Sequence, residues 1–70
     1  MTVWVVVMVD HGVVDGDGIL VFDTEQAAVE NFMEVADDIQ LIESDTYEQD
    51  LASWSAWSKN YSVNIFEKVV

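Results

Sequence analysis

Carboxylates are the residues of this sequence that could carry chemistry, and they far outnumber the alternatives. The 70 residues include 14 Asp and Glu against two Lys and one His, with no Arg and no Cys, so the formal net charge is −12. The lack of Cys excludes disulfides and thiolate metal sites. Paired carboxylates can serve as a general acid and base, but a chain this short leaves little room for a substrate cleft. We therefore predict no enzymatic activity, and we place the single histidine, His11, in a solvent-facing turn.

The segment from Asp15 to Gly18 has the Asp-Gly repeat of a calcium-binding loop. If Asp17 and Gly18 stood at positions five and six of an EF-hand loop, positions one and twelve would be Val13 and Thr24, and neither is a bidentate carboxylate. Asp-Gly pairs are also ordinary turn residues between strands. We predict a long acidic hairpin loop, with no metal and no cofactor.

Four carboxylates are concentrated on the first predicted helix. Glu30, Glu34, Asp37 and Asp38 are spaced at i, i+4, i+7 and i+8, on the face opposite the apolar residues or at its margin. Like charges at this spacing destabilise a helix by about 0.2–0.5 kcal/mol per pair, and anions near a helix C-terminus oppose its dipole. A surface made only for solubility would mix the two signs of charge. These four residues are our main candidates for binding a partner.

Six other carboxylates complete the predicted partner-binding set. They belong to the segments on either side of the first helix, where no basic residue offsets them before Lys59. These residues are Asp10, Asp15, Asp17, Glu43, Asp45 and Glu48.

Hydrophobic periodicity predicts five elements in a single domain, residues 1–70. Alternating or continuous β-branched and aromatic residues predict strands over 2–9, 19–23 and 61–69. Apolar residues at a period of 3.6 predict helices over 25–40 and 46–59. Asp23 or Thr24 would cap the first helix, and a capping box of Asp45 and Glu48 would open the second.

The order β-β-α-α-β predicts an α+β fold in which a three-stranded sheet, of order 2-1-3, packs against two helices. The last strand would lie beside the first strand and parallel to it. The first strand is apolar on both faces, which favours either one helix on each face of the sheet or a dimer.

Two tryptophans, Trp54 and Trp57, are spaced at i, i+3 in the second predicted helix. They are interpreted as core residues packed on the sheet. The alternative is that one ring edge is exposed and anchors an interface, a role in which Trp is enriched.

Three explanations of the charge remain open: halophilic adaptation, generic solubility, and imitation of a nucleic acid. In the third, carboxylates one helical turn apart stand for phosphates and face the Lys/Arg groove of a nucleic-acid-binding protein. In its length, its lack of Cys and its uncompensated charge from Asp10 to Asp50, the chain resembles the small acidic phage-encoded inhibitors that mimic DNA, the anti-CRISPR and anti-restriction proteins among them.

This resemblance implies a stoichiometric inhibitor, most of all an anti-CRISPR protein that blocks DNA binding by a CRISPR effector. A restriction or repair enzyme is the other implied class of target. The alternative function is a small acidic adaptor domain that forms a homodimer through an apolar sheet face. The charge argues against direct binding to nucleic acid or to an anionic membrane. With no positive n-region and no apolar run of membrane-spanning length, we predict a cytoplasmic location in a host cell.

Overall fold

One helix lies across one face of a five-stranded antiparallel sheet. The structure is a computed structural model that describes the backbone of all 70 residues and every side chain except that of Asp15. The strand order is β2-β1-β5-β4-β3. The elements are β1 (Thr2–Asp10), β2 (Val13–Phe22), α1 (Glu25–Ile42), β3 (Glu48–Asp50), β4 (Ser55–Trp57) and β5 (Tyr61–Val69), with a single 3₁₀ turn at Leu51–Ser53 between β3 and β4.

The helix α1 forms where the periodicity predicts it and extends two residues further, to Ile42. Thr24 is the N-cap, and its Oγ1 accepts a hydrogen bond of 3.2 Å from the Ala27 N–H. Glu25 in the first turn complements the helix dipole. The residues that α1 buries against the sheet are Ala28, Phe32, Ala36 and Ile39.

A two-residue turn joins β1 to β2, so the prediction of a long loop is wrong. His11 and Gly12 have φ values of 50° and 79°. A two-residue turn that matches the twist of its flanking strands requires a positive φ at both of these central residues. Asp10 then pairs with Val13, and β2 begins at once. The Asp-Gly repeat makes a bulge inside β2, because its four residues lie opposite the single residue Met8.

The second predicted helix, over 46–59, is wrong: this segment is β3, the 3₁₀ turn and β4. Asp45 and Glu48 therefore form no capping box. Trp54 adopts a left-handed conformation, with φ of 47°, and its ring packs edge-on against Phe32 at 5.7 Å. Trp57 lies on the other face of the sheet, since β4 alternates its side chains. The spacing of the two tryptophans fits a helix, but strand pairing with β5 decides the structure.

The last strand lies beside the first, as predicted, but it runs antiparallel to it. If the direction of β1 is taken as up, the chain runs up through α1, down through β3 and up through β4. The strand β5 therefore runs down, opposite to β1. The prediction of a three-stranded sheet with two helices is therefore wrong, and the α+β description fits this sheet-dominated chain only loosely.

The sheet has one covered face and one uncovered face. Even-numbered residues of β1, such as Val6, point toward α1, and the buried core lies between the two. The core residues are Val6, Ala28, Phe32, Ala36, Ile39, Ala56 and Val63. The opposite face, which we call the open face, carries the odd-numbered valines of β1 and their paired neighbours.

Candidate protein-binding surface

The outward side of α1 carries the four carboxylates predicted as the main binding residues. We call this side of the helix the acidic face. Glu30, Glu34, Asp37 and Asp38 are all solvent-exposed. They take this position because the buried residues of α1 recur every three or four positions and turn the intervening residues outward. Since α1 extends to Ile42, Asp37 and Asp38 lie just before its last turn, where the opposing dipole is weak.

No cationic group neutralises the acidic face within the described part of the chain. There, neither Lys59 nor Lys68 has a carboxylate oxygen within 4.0 Å of its ammonium group, and the last turn of α1 holds no basic residue. Glu30 accepts one hydrogen bond, of 3.3 Å, from the Gln26 amide. The face therefore presents its charges to solvent.

Asp37 and Asp38 extend the acidic face toward opposite edges of the helix. Asp37 lies near Tyr47, whose pKa is raised by burial of its hydroxyl and, second, by the negative charge of Asp37. Asp38 lies over the opposite flank, beside β1 and the bulge of β2. A partner that binds the outward face of α1 therefore meets charge along the helix and on both sides of it.

A pocket of about 310 Å³ joins the acidic face to the β1–β2 hairpin. Its wall is apolar and comes from the last turns of α1, from β1 and from the start of β5. Three carboxylates line it as well, one each from the helix, the end of β1 and the bulge: Asp38, Asp10 and Asp17. The structure thus brings two of the predicted hairpin residues beside the predicted helix residues.

Glu43 differs from the other predicted binding residues, because its carboxylate holds the fold together. It accepts hydrogen bonds from Ser58 Oγ at 2.6 Å, from the Asn60 backbone N–H at 2.9 Å and from Asn60 Nδ2 at 2.6 Å. These bonds, led by that of Ser58, lower the pKa of Glu43 although partial desolvation opposes them. Glu43 ties the C-terminal end of α1 to the turn between β4 and β5, and we leave it out of the acidic face.

The remaining predicted residues lie apart from this surface or outside the described side chains. Asp45 is exposed in the turn after α1, and Glu48 begins the edge strand β3 on the side of the open face. The side chain of Asp15 lies outside the described residues. Asp10 is hydrogen-bonded to His11 Nδ1 in the exposed turn, where the His11 ring contacts Tyr61 edge-on at 5.5 Å.

The described residues group neither as a metal site nor as a membrane-spanning helix. Among the described residues, no three His, Cys, Asp or Glu side chains are grouped as a metal ion would require. In the same part of the chain, no helix has both the length and the apolar character needed to cross a membrane.

The open face is a second surface, which the sequence indicated through the two apolar faces of its first strand but without the residues of β2 and β5 beside it. Val21, Ile19 and Phe66 have exposed fractions of 63 %, 47 % and 55 %, and they flank the valines of β1. The signal was present in β2, where Ile19 and Val21 alternate with Leu20, whereas on β5 Phe66 is the one apolar residue among the four paired with the odd-numbered valines of β1. Comparison with protein-family models, with curated proteins and with solved structures finds no match to this chain.

Proposed function

We propose that this chain is a protein-binding inhibitor that occupies the basic groove of a nucleic-acid-binding protein with its acidic face. The observation that carries the proposal is the row of exposed helical carboxylates without a cationic neighbour in the described part of the chain. Carboxylates one turn apart are separated by about 5–6 Å at Cβ, which is comparable in scale to the spacing of successive phosphates. A groove that binds phosphates through Lys and Arg would accept them.

The pocket beside Asp38 supports a protein as the partner. Lys and Arg side chains bury their aliphatic stems on apolar surface and leave the charged head in a polar environment. The pocket offers both parts, since Met8, Val35 and Ile39 form its wall and Asp10 and Asp38 line it as well. A basic side chain of the partner would fit this arrangement better than a free inorganic cation would.

The partner class follows from the charge of the surface and from the resemblance to DNA mimics. A CRISPR effector subunit, a restriction enzyme or a repair enzyme presents a groove of the required sign. The inhibitor would be stoichiometric, because it competes with the nucleic acid for one site and catalyses nothing. Direct binding of this chain to nucleic acid is disfavoured by its charge of −12.

Capture of the partner tests the proposal. The whole chain is immobilised and exposed to bacterial lysate at about 50 mM salt, and proteins released at about 500 mM are identified, because this range separates screened from unscreened charge. The released protein, once purified, should bind DNA, and the free chain should displace that DNA at a one-to-one ratio. A released protein that keeps its DNA in the presence of excess chain would overturn the proposal.

A charge-matched control makes the capture specific to the acidic face. One variant carries Glu30→Gln, Glu34→Gln, Asp37→Asn and Asp38→Asn, and we call it the face variant. The control variant carries Asp23→Asn, Glu25→Gln, Asp50→Asn and Glu67→Gln, so both change the net charge from −12 to −8. Only the face variant should lose the partner. Equal loss from both would show attraction to charge in general and would contradict the proposal.

A further inference from the structure

The cavity between the last turns of α1 and the β1–β2 hairpin, which we call the hairpin pocket, has an apolar wall. Met8, Val35 and Ile39 contribute to this wall, and Ile42, which also lines the pocket, is 63 % exposed. The volume of about 310 Å³ lies at the lower end of the range for sites that bury a ligand. The pocket is therefore suited to a ligand with an apolar part of the length of one long side chain.

The charged groups of the hairpin pocket come from three different elements. Asp38 belongs to α1, Asp10 to the end of β1 and Asp17 to the bulge of β2. Asp10 uses Oδ1 in its hydrogen bond with His11 Nδ1, and a carboxylate has a second oxygen with which to accept. A ligand that matches the pocket thus combines an apolar stem with a cationic end.

We propose that the hairpin pocket receives one arginine side chain of the partner and that this arginine anchors the complex. The inference rests on the proposed function, because the arginine belongs to the basic protein proposed above. The aliphatic stem would lie on the apolar wall, and the guanidinium would reach the carboxylates. Arginine is among the residues that most often dominate the affinity of an interface.

The form of the pocket favours arginine over lysine. A guanidinium carries five N–H donors in a planar fork, so it can donate to carboxylates on more than one side at once. It is also less strongly hydrated than an ammonium group, which lowers the cost of leaving water. Tyr61 lines the pocket as well, and aromatic rings pair with arginine more often than with lysine.

The cation that fills the pocket must come from a different protein. This chain contains no arginine, so a second copy cannot supply one. Its two lysines lie elsewhere: Lys59 lines a separate pocket beyond the end of α1, and Lys68 is paired with Val3 on the open face. An inorganic cation would match the carboxylates but would leave the apolar wall uncovered.

Titration of the isotope-labelled, full-length chain with small probes tests the inference without the partner. The probes are the N-acetyl methylamides of arginine, of lysine and of citrulline, whose side chain has the shape of arginine but is neutral. We expect the arginine probe to shift the methyl NMR signals of Met8, Val35 and Ile39. It should bind about tenfold more tightly than the citrulline probe and about threefold more tightly than the lysine probe.

Two variants with equal charge separate the pocket from general attraction to the chain. Asp38→Asn removes a carboxylate that lines the pocket, and Asp23→Asn removes an exposed carboxylate that precedes α1. Each changes the net charge from −12 to −11. The first should weaken binding of the arginine probe about fivefold or more, and the second should leave it within about twofold.

A second pair of variants tests the apolar wall at constant charge. Ile42 and Leu41 are neighbours on α1 and both are exposed, but only Ile42 lines the hairpin pocket. Ile42→Gln should weaken both the arginine probe and the captured partner about fivefold, whereas Leu41→Gln should leave both within about twofold.

The outcomes distinguish this inference from the proposed function. Absence of shifts at the pocket, equal affinity for the citrulline or lysine probe, or equal loss in either pair of variants would overturn the inference. A partner that is lost by the face variant but bound equally by Ile42→Gln and Leu41→Gln would also overturn it, and would leave the proposed function standing. Failure of the proposed function appears instead as a captured protein that keeps its DNA.

Discussion

The acidic face of α1 and the open face of the sheet are the two outer surfaces of the same two-layer molecule, and they differ in the density of charge and in apolar content. The acidic face is charged, polar and hydrated, and each of its four residues is exposed. The open face is apolar along β1 and β2, and it becomes polar toward β3, which carries Glu48 and Asp50 on this side. The fold needs neither surface to close its core. Binding at the acidic face should therefore be the more sensitive of the two to salt.

The two sides of the helix α1 also differ in what they contribute. The inner side of α1 supplies four of the seven core residues, and the outer side supplies charge without ion pairs in the described part of the chain. Stability should therefore depend on the inner side and binding on the outer side. The five predictions that follow test this division, from the largest expected change in stability to the smallest.

Truncation of the largest core residue should have the largest effect. Phe32→Ala removes a fully buried ring that contacts Trp54, at a cost of about 3–5 kcal/mol. For a 70-residue chain this is most of the expected free energy of unfolding. Urea denaturation at a fixed protein concentration measures it. A loss below about 1 kcal/mol would show that the core lies elsewhere.

Glu43→Gln should lower the melting temperature at pH 7, by less than Phe32→Ala. The amide N–H₂ group of Gln would face the donor groups of Ser58 or Asn60 and lose hydrogen bonds that the carboxylate accepts. Glu30→Gln is the matched control, because Glu30 is exposed on α1 and should leave the melting temperature nearly unchanged. Equal melting temperatures for the parent and Glu43→Gln would show that the Glu43 carboxylate does not stabilise the fold.

The same variant has a defined pH dependence. The folded-state pKa of Glu43 lies below its ordinary value of 4.5, so its contribution to stability is present above that pH and is lost as the pH falls through the folded pKa. The difference in melting temperature between the parent and Glu43→Gln should therefore shrink in acid. A difference that stays constant from pH 7 to about pH 3 would contradict this assignment.

Salt should stabilise the parent chain. Raising the ionic strength from about 20 to about 500 mM screens the mutual repulsion of a chain with net charge −12. We expect a rise in melting temperature of about 4–8 °C, the shift that 1 kcal/mol produces in a domain of this size. The face variant should gain less, since part of the repulsion is already removed. A melting temperature that falls with salt would indicate stabilising ion pairs.

The face variant should show the smallest effect on stability, and its sign is informative. Neutralising the four carboxylates relieves like-charge pairs worth about 0.2–0.5 kcal/mol each. We expect a melting temperature equal to that of the parent or slightly higher. A sharp fall would mean that these carboxylates make structural hydrogen bonds, and the separation between the two sides of α1 would fail.

Local sequence signals predicted the helix and the row of carboxylates on it, because both depend on spacing within one element. The apolar period of 3.6 persists from Ala28 to Ile39, and it places Glu30 and Glu34 outward without knowledge of any other element. The neighbouring strands β1 and β5 were also predicted, since β-branched and aromatic residues dominate both. The helix over 46–59 was wrong because the i, i+3 spacing of Trp54 and Trp57 fits one face of a helix, whereas the segment forms strands and a turn that place the two rings on opposite faces of the sheet. The contact of Trp54 with Phe32 and the pairing of β4 with β5 decide between the two, and both are distant in sequence.

The candidate surfaces depend more strongly on contacts between elements. The approach of Asp10 and Asp17 to Asp38 requires the tight turn at His11 and the bulge in β2, and neither follows from composition. The two apolar faces of β1 predicted either two flanking helices or a dimer. With one helix present, the second face of β1 is left uncovered.

The central claim is that the acidic face is kept for binding a basic partner, and the affinity of the captured partner for the two charge-matched variants tests it most directly. Truncating one member of a desolvated charge pair at an interface costs about 2–5 kcal/mol. The face variant should therefore bind at least about 30-fold more weakly than the parent, with an intact fold, while the control variant stays within about threefold. If the face variant also stays within about threefold, or if both variants weaken equally, the acidic face is not the binding surface.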